Sequence, residues 1–210
     1  MYTDFESGDD GLGPVRTAKN VEKNMFSSGY GPGDGSSMTL FDITNVLKGG
    51  LDYVQLGRLD PAPGGGAVGF FALGERAPLE VMPTTGSAKY EGGTRGDYTN
   101  AAGTVYSTAS DVTLTANFGT GEVTGSTSNF KLIDAAGAAV TAPQVLDFDF
   151  DATIAGVGFT GTAKGSSMTG AVEGVFHGLS GPPPEASLGF TLQDASGASL
   201  VGVGGLRTGD

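Results

Sequence analysis

His177 is the chain's only histidine, and the chain contains no cysteine. These counts exclude histidine-rich and cysteine-ligated metal sites, and no histidine base stands near a plausible serine nucleophile. One role in chemistry remains for His177, as a single axial ligand to haem iron. It follows Phe176, which the strand pattern turns inward, so its ring is expected to point outward or into the loop 178–184, where a haem edge could reach it. An ordinary exposed or loop histidine is the simpler alternative. Asp147, Asp149 and Asp151 fall on one face of a strand and could hold Ca²⁺ together with loop oxygens. Their spacing is not that of an EF-hand loop, and a solvated strand face that resists pairing with another chain is the better reading. Phe70, Phe71 and Met82, with Leu79 and Val81, are apolar residues outside the main strand series. They either pack an N-terminal region onto the rest or line a hydrophobic ligand cleft at that seam.

Other patterns carry less. Gly156-Val157-Gly158-Phe159-Thr160-Gly161 and Gly64-Gly65-Gly66-Ala67-Val68-Gly69 both spell the dinucleotide fingerprint, but neither opens a helix in a strand-helix-strand unit. Arg95-Gly96-Asp97 spells a cell-adhesion tripeptide on an expected hairpin loop, where Gly96 already has a turn role. No convergent carboxylate pair can be argued, so the chain reads as non-enzymatic.

Composition sets the frame for these residues. The chain has 210 residues, 38 glycines, 12 phenylalanines and no tryptophan, which describes short strands and many turns. With 23 acidic residues against 11 basic ones, it repels phosphate backbones, and nucleic-acid binding is excluded as a leading function. A basic partner, or solubility alone, fits the charge. No apolar run is long enough for a membrane-spanning helix. The first residues, Met1 to Glu6, lack a basic and then apolar leader, so the expectation is a mature form or export without such a signal.

Residues 1–37 show no sustained period and read as a flexible arm. A short helix is expected next, capped by Ser37, with Leu40, Ile43 and Leu47 on one face and Gly49-Gly50 as the stop. Two strand-like runs, Tyr53 to Gly57 and Val68 to Gly74, then read as a hairpin with a long connection. Beyond Pro83 follow strand-like segments at about 86–93, 103–108, 111–118, 121–133, 145–154, 157–164, 169–178, 186–193 and 199–206. Alternation is clearest where Val112, Leu114, Ala116 and Phe118 share one face, and in Asp147-Phe148-Asp149-Phe150-Asp151. Gly174 between Val172 and Phe176 suits a small barrel filled by side chains of unequal size. Such spacing predicts an up-and-down barrel or a sandwich.

Three blocks carry a resemblance. Met82-Pro83-Thr84-Thr85-Gly86-Ser87-Ala88-Lys89-Tyr90-Glu91-Gly92 leads into a first barrel strand. Leu114-Thr115-Ala116-Asn117-Phe118-Gly119, continuing to Ser126, gives a strand, a tight turn and a strand. Phe159 to Ala163, Gly170 to Gly178 and Glu185 to Phe190 give the closing strands. In order and spacing over residues 82–206, these resemble the barrel of the transferrin-binding-protein-B-like surface proteins of Gram-negative bacteria. The resemblance implies an all-β chain: an eight-stranded antiparallel up-and-down β-barrel over 82–210, a small N-terminal handle-like α/β region over 38–81, and the arm 1–37.

It further implies a surface-exposed or secreted module that captures a host protein or a small apolar ligand such as haem, at the outer-membrane surface or outside the cell. Specificity in that family lies in the loops and the handle, with the barrel as scaffold. A competing expectation is a structural subunit of a surface layer, filament or coat. There, self-association would run through the arm, with Val15, Val21, Met25, Phe26 and Tyr30 as anchors.

Overall fold

The structure, a computed structural model, describes residues 16–20, 25–29, 36–41, 50–62, 64 and 68–209. Two antiparallel sheets make up the fold. Eight strands close into a barrel: β6 (Ser87–Thr99), β7 (Val105–Asn117), β8 (Glu122–Ile133), β10 (Phe148–Ala155), β11 (Gly158–Gly165), β12 (Thr169–His177), β13 (Glu185–Gln193) and β14 (Ser199–Thr208). Each pairs with its sequence neighbour, β14 returns to β6, and β8 meets β10 after the two-residue strand β9 (Ala139–Val140). This is the expected eight-stranded up-and-down barrel. The alternation holds: Val112, Leu114, Ala116, Phe148 and Phe150 are buried inside, while Asp149 and Asp151 face solvent.

An eight-stranded barrel is just narrow enough for side chains to fill, and here rings fill it over glycines. Phe150 lies opposite Gly125, Phe159 opposite Gly174 and Phe190 opposite Gly202 in the strand registers. A β-carbon on any of these three glycines would overlap the facing ring. Each ring therefore covers the backbone of the neighbouring strand, and the Phe148–Phe190 and Phe159–Phe176 contacts, with centroids 5.1 and 5.4 Å apart, join the rings into one core.

Where the sequence suggests separate strands at 86–93 and 103–108, with Arg95-Gly96-Asp97 on a loop between them, the structure has two long strands. The tripeptide lies inside β6, paired with β14 through Arg95↔Val203, Gly96↔Gly202 and Asp97↔Val201. Gly92 and Gly96 are there because β14's main chain passes too close for a β-carbon. A glycine-rich stretch imitates a loop when its glycines serve close approach.

Three hairpins share one turn. Asn100, Asp134 and Asp194 each accept, on Oδ1, the N–H groups two and four residues on, and Gly103, Gly137 and Gly197 hold φ of 81°, 86° and 89°. The side-chain carboxylate or amide oxygen closes the turn, and the glycine takes the left-handed residue that a three-residue hairpin loop needs.

The second sheet has the order β1 (Arg16–Asn20), β2 (Met25–Gly29), β3 (Ser37–Phe41), β4 (Val54–Asp60) and β5 (Gly69–Gly74), antiparallel throughout. Two stretches within the expected arm are thus strands; the anchors Met25 and Phe26 lie in β2, while Val15, Val21 and Tyr30 fall outside the described residues. Ser37 to Phe41 is a strand and not the start of a helix, because Thr39 and Phe41, two residues apart, are both buried on one face. Ile43 and Leu47 lie outside the described residues. The β4–β5 hairpin is as expected from the sequence. A single 3-10 turn, Leu79–Val81, leads from this sheet into the barrel, and no α-helix occurs among the described residues.

Ring-on-glycine packing predicts a coupling. Gly174→Val should lower stability by about 1–3 kcal/mol through overpacking against Phe159. Combining it with Phe159→Leu should recover part of that loss in urea unfolding, whereas strictly additive effects would contradict the packing.

Candidate functional site

The handle sheet lies on the outer wall of the barrel, and alternation decides which side chains meet there. On β4, Val54, Leu56 and Arg58 face the wall; opposite them in register on β5 are Gly74, Ala72 and Phe70. Phe41, Val54 and Leu56 bury themselves against Val203, an outward-facing residue of β14, with Phe70 and Ala72 packed beside them. Phe70 stacks on Phe41 at 6.3 Å, and the Arg58 guanidinium stands 5.8 Å from the Phe70 ring centre.

Covering a barrel wall buries polar groups that would otherwise be wet, and each has a partner. Glu185, 2% exposed, accepts the main-chain N–H groups of Asp52 at 2.6 Å and Tyr53 at 2.9 Å. Its carboxyl group is shifted above the usual range because burial outweighs these two hydrogen bonds. Asp97 takes both its oxygens to Arg58 Nη1, at 2.7 and 2.8 Å, while Arg58 Nε donates to Asp60 at 2.7 Å. Burial again raises the Asp97 carboxyl, against the pull of Arg58. The tripeptide's acid is therefore a buried anchor for the handle and not an adhesion determinant.

His177 is placed by the same wall. It faces away from the barrel interior as the sequence parity predicts, yet it is 3% exposed, with the segment after β5 paired antiparallel alongside it through Arg76. Its Nδ1 lies 3.2 Å from the Glu75 carbonyl and its Nε2 2.8 Å from Ser187 Oγ. The carbonyl can only accept, so Nδ1 carries the proton and Nε2 accepts from the Ser187 hydroxyl. Burial shifts the ring's proton affinity down. An exposed ring open to a haem edge is not what the fold provides.

The other residues singled out in the sequence do not converge. Phe70 and Phe71 point to opposite faces of β5: Phe70 toward the barrel, Phe71 to the far face, where its ring lies over Gly57. Met82 packs with Val81 against the barrel core, away from both. Asp147 accepts the Phe130 N–H at 3.4 Å and Asp149 and Asp151 are exposed; no cluster of acidic or histidine residues among the described ones is arranged to hold a metal. Sequence reasoning gives no role at this seam to Glu185, Asp97, Arg58 or Ser187; the partners of the first three lie 39 to 133 residues away along the chain.

Two surfaces remain open around this seam. The far face of the handle carries Met38, Leu40, Leu59, Phe71 and Leu73, with Leu59 50% and Leu73 63% exposed. Beside β5, a groove of about 480 Å³ runs over the outer wall of β11 to β14, bounded by Phe70 and floored by Gly161, Ala171, Gly189 and Val201, with Glu173 in it.

Residues 82–207 match the family of the C-lobe and N-lobe beta barrels of Tf-binding protein B, over more than half of the chain. The chain belongs to this family. Its fold is shared with solved structures of transferrin-binding protein B and of a haemoglobin receptor. A point mutant of transferrin-binding protein B from Haemophilus parasuis Hp5 aligns with TM-score 0.62 and 20% identity, over 97% of this chain and 41% of that one. The haemoglobin receptor HpuA from Kingella denitrificans aligns with TM-score 0.55 and 21% identity, over 89% of this chain and 68% of that one. The same receptor in complex with human haemoglobin aligns with TM-score 0.52 and 21% identity, over 93% and 70%. The chain spans about two-fifths of the length of that transferrin-binding protein B structure. No curated protein sequence matches it. The family and the proteins sharing the fold are non-enzymatic binding proteins.

Two outcomes follow from the seam. Glu185→Ala leaves the half-buried Asp52 and Tyr53 N–H groups without their acceptor and should cost about 1–3 kcal/mol, read by urea unfolding and by faster proteolysis of the handle. For pH, the folded state holds His177 below its ordinary value, so the neutral ring contributes stability that is lost as pH falls below about 6.5. Glu185 and Asp97, raised by burial, act in the opposite sense and add stability as pH falls. The difference in stability between the native chain and His177→Gln, measured from pH 7 to pH 5, should therefore shrink on acidification; a constant difference would contradict the assignment.

Proposed function

We propose that this chain is a surface capture module that binds a host protein through the handle and the adjoining barrel wall. The observation that carries the reading is the far face of the handle, where Leu59 and Leu73 stand exposed beside Phe71 on a sheet fixed from behind by buried charges. A rigid sheet with an open apolar face is suited to a partner whose own surface covers it. Family membership supports the same reading, and two of the proteins sharing the fold are named for transferrin and haemoglobin. The chain's acidity, with a formal net charge of −12, favours a partner that is basic where it touches.

His177, with both ring nitrogens engaged beneath the handle, speaks for protein capture over histidine-ligated haem. The cell surface is the setting in which such capture would operate. Assembly into a coat through the arm, the other reading, draws on residues largely outside the described ones.

Immobilised chain should bind vertebrate transferrin or haemoglobin in surface plasmon resonance. Leu73→Asp, which places a charge in the apolar face without touching the barrel, should weaken that binding at least about tenfold, a change of about 1.4 kcal/mol. Unchanged affinity would contradict the assignment of this face, and a Soret shift with haemin that survives His177→Ala would favour a small ligand held elsewhere.

A further inference from the structure

β5 is the terminal strand of the handle sheet, and its hydrogen-bonding phase is fixed. The Glu75 N–H donates to Tyr53 O at 2.9 Å, so along the ladder Leu73, Phe71 and Gly69 exchange hydrogen bonds with β4. The intervening residues Phe70, Ala72 and Gly74 direct their N–H and C=O groups to the opposite, open side. No described residue pairs with that side. The strand, Gly69-Phe70-Phe71-Ala72-Leu73-Gly74, carries no charge and no proline, the devices by which edge strands usually resist pairing.

The open edge does not face bulk solvent alone. Next to it lies the groove on the barrel wall, whose floor is made of small residues, Gly161, Ala171 and Gly189, flanked by Thr160 and Thr191. A strand added to β5 would run above this floor at the usual inter-strand spacing, about 4.8 Å from β5, and the short outward side chain of Ala171 leaves room for those of the newcomer. Glu173 is the charged residue lining the groove; its carboxylate lies over Gly189, and no described residue forms an ion pair with it. The depression adjoining the groove at Thr160 and Gly161 adds Glu122 and Asp151, again without a basic residue.

We infer that the edge of β5 and the groove beside it take an extended partner segment by strand addition, with apolar side chains alternating toward the barrel wall and a lysine or arginine set against Glu173. This deepens the capture reading by naming the partner segment's chemistry and rests on it for the segment's origin in a host protein. Main-chain bonds to Phe70 and Ala72 supply affinity independent of sequence, while the small floor and Glu173 select side chains.

The test uses the full chain and two synthetic probes, Thr-Val-Thr-Lys-Thr-Val-Thr and the same peptide with a central glutamate. In fluorescence anisotropy the lysine peptide should bind at least tenfold tighter than the glutamate peptide, and Glu173→Lys should reverse that order. Ala72→Pro, which removes an N–H on the open side and leaves the β4 ladder intact, should abolish binding of both. Amide resonances of Phe70 and Ala72 should shift on titration. If neither peptide binds at millimolar concentration, or both bind equally to the native chain and to Glu173→Lys, the inference is wrong. Transferrin or haemoglobin captured with unchanged affinity by both Ala72→Pro and Glu173→Lys would overturn strand addition while leaving capture standing. Peptide binding as expected with no host protein captured would sustain the groove and overturn the host-protein reading.

Discussion

Glu185 stands on the outside of a β-barrel and is nonetheless buried, with its carboxylate receiving the Asp52 and Tyr53 N–H groups from a segment 132 to 133 residues away in sequence. A carboxylate cannot be taken out of water without such partners. The position of the handle is therefore a condition for this residue being tolerated, and the residue in turn fixes where β4 begins. Arg58 with Asp97 does the same at the far end of β4, and the apolar contact of Leu56 and Phe41 with Val203 fills the space between. Two polar anchors, one an ion pair and one a carboxylate on main-chain N–H groups, are separated by an apolar patch and specify both the orientation and the register of one sheet on another, which apolar contact alone would leave free to slide.

Everything open for binding follows from that docking. Because Val54, Leu56, Arg58, Phe70 and Ala72 face the wall, the alternate residues must face away, and these include Leu59, Phe71 and Leu73. Because the handle sheet ends at β5 over the wall, its last edge borders a groove instead of being covered. The barrel supplies rigidity, with rings seated over glycines of neighbouring strands, and contributes its outer wall as a floor. A capture surface built on sheets positioned this firmly loses little conformational freedom on binding.

Much of the barrel was legible in the sequence because period-two alternation is a local signal: Val112 to Phe118 and Asp147 to Asp151 declare their buried and wet faces without any other part of the chain. The repeated turn is an equally local signal, spelled three times as Asn100-Ala101-Ala102-Gly103, Asp134-Ala135-Ala136-Gly137 and Asp194-Ala195-Ser196-Gly197. Gly92 and Gly96 misled because glycine serves loops and close strand approach alike. The helix expected from Ser37 rested on three apolar residues and lost to the pairing of β3 with β4. His177 shows where local reasoning ends: its parity could be read, but its burial depends on a chain segment about 102 residues earlier that pairs alongside it. Phe70 and Phe71, adjacent in sequence, were read as one feature, and the pleat sends them to opposite faces. The candidate site is assembled almost entirely from such distant contacts, so no local pattern marks Glu185, Asp97 and Arg58 as its anchors.

Native-state hydrogen exchange at the Asp52 and Tyr53 amides tests the docking most directly. If the handle is held to the barrel by Glu185, both amides should be protected to nearly the global stability of the barrel, and lose that protection in Glu185→Ala. Exchange of these two amides at the rate of the exposed hairpin turns, with the barrel amides still protected, would show that the handle moves free of the wall and would contradict the account.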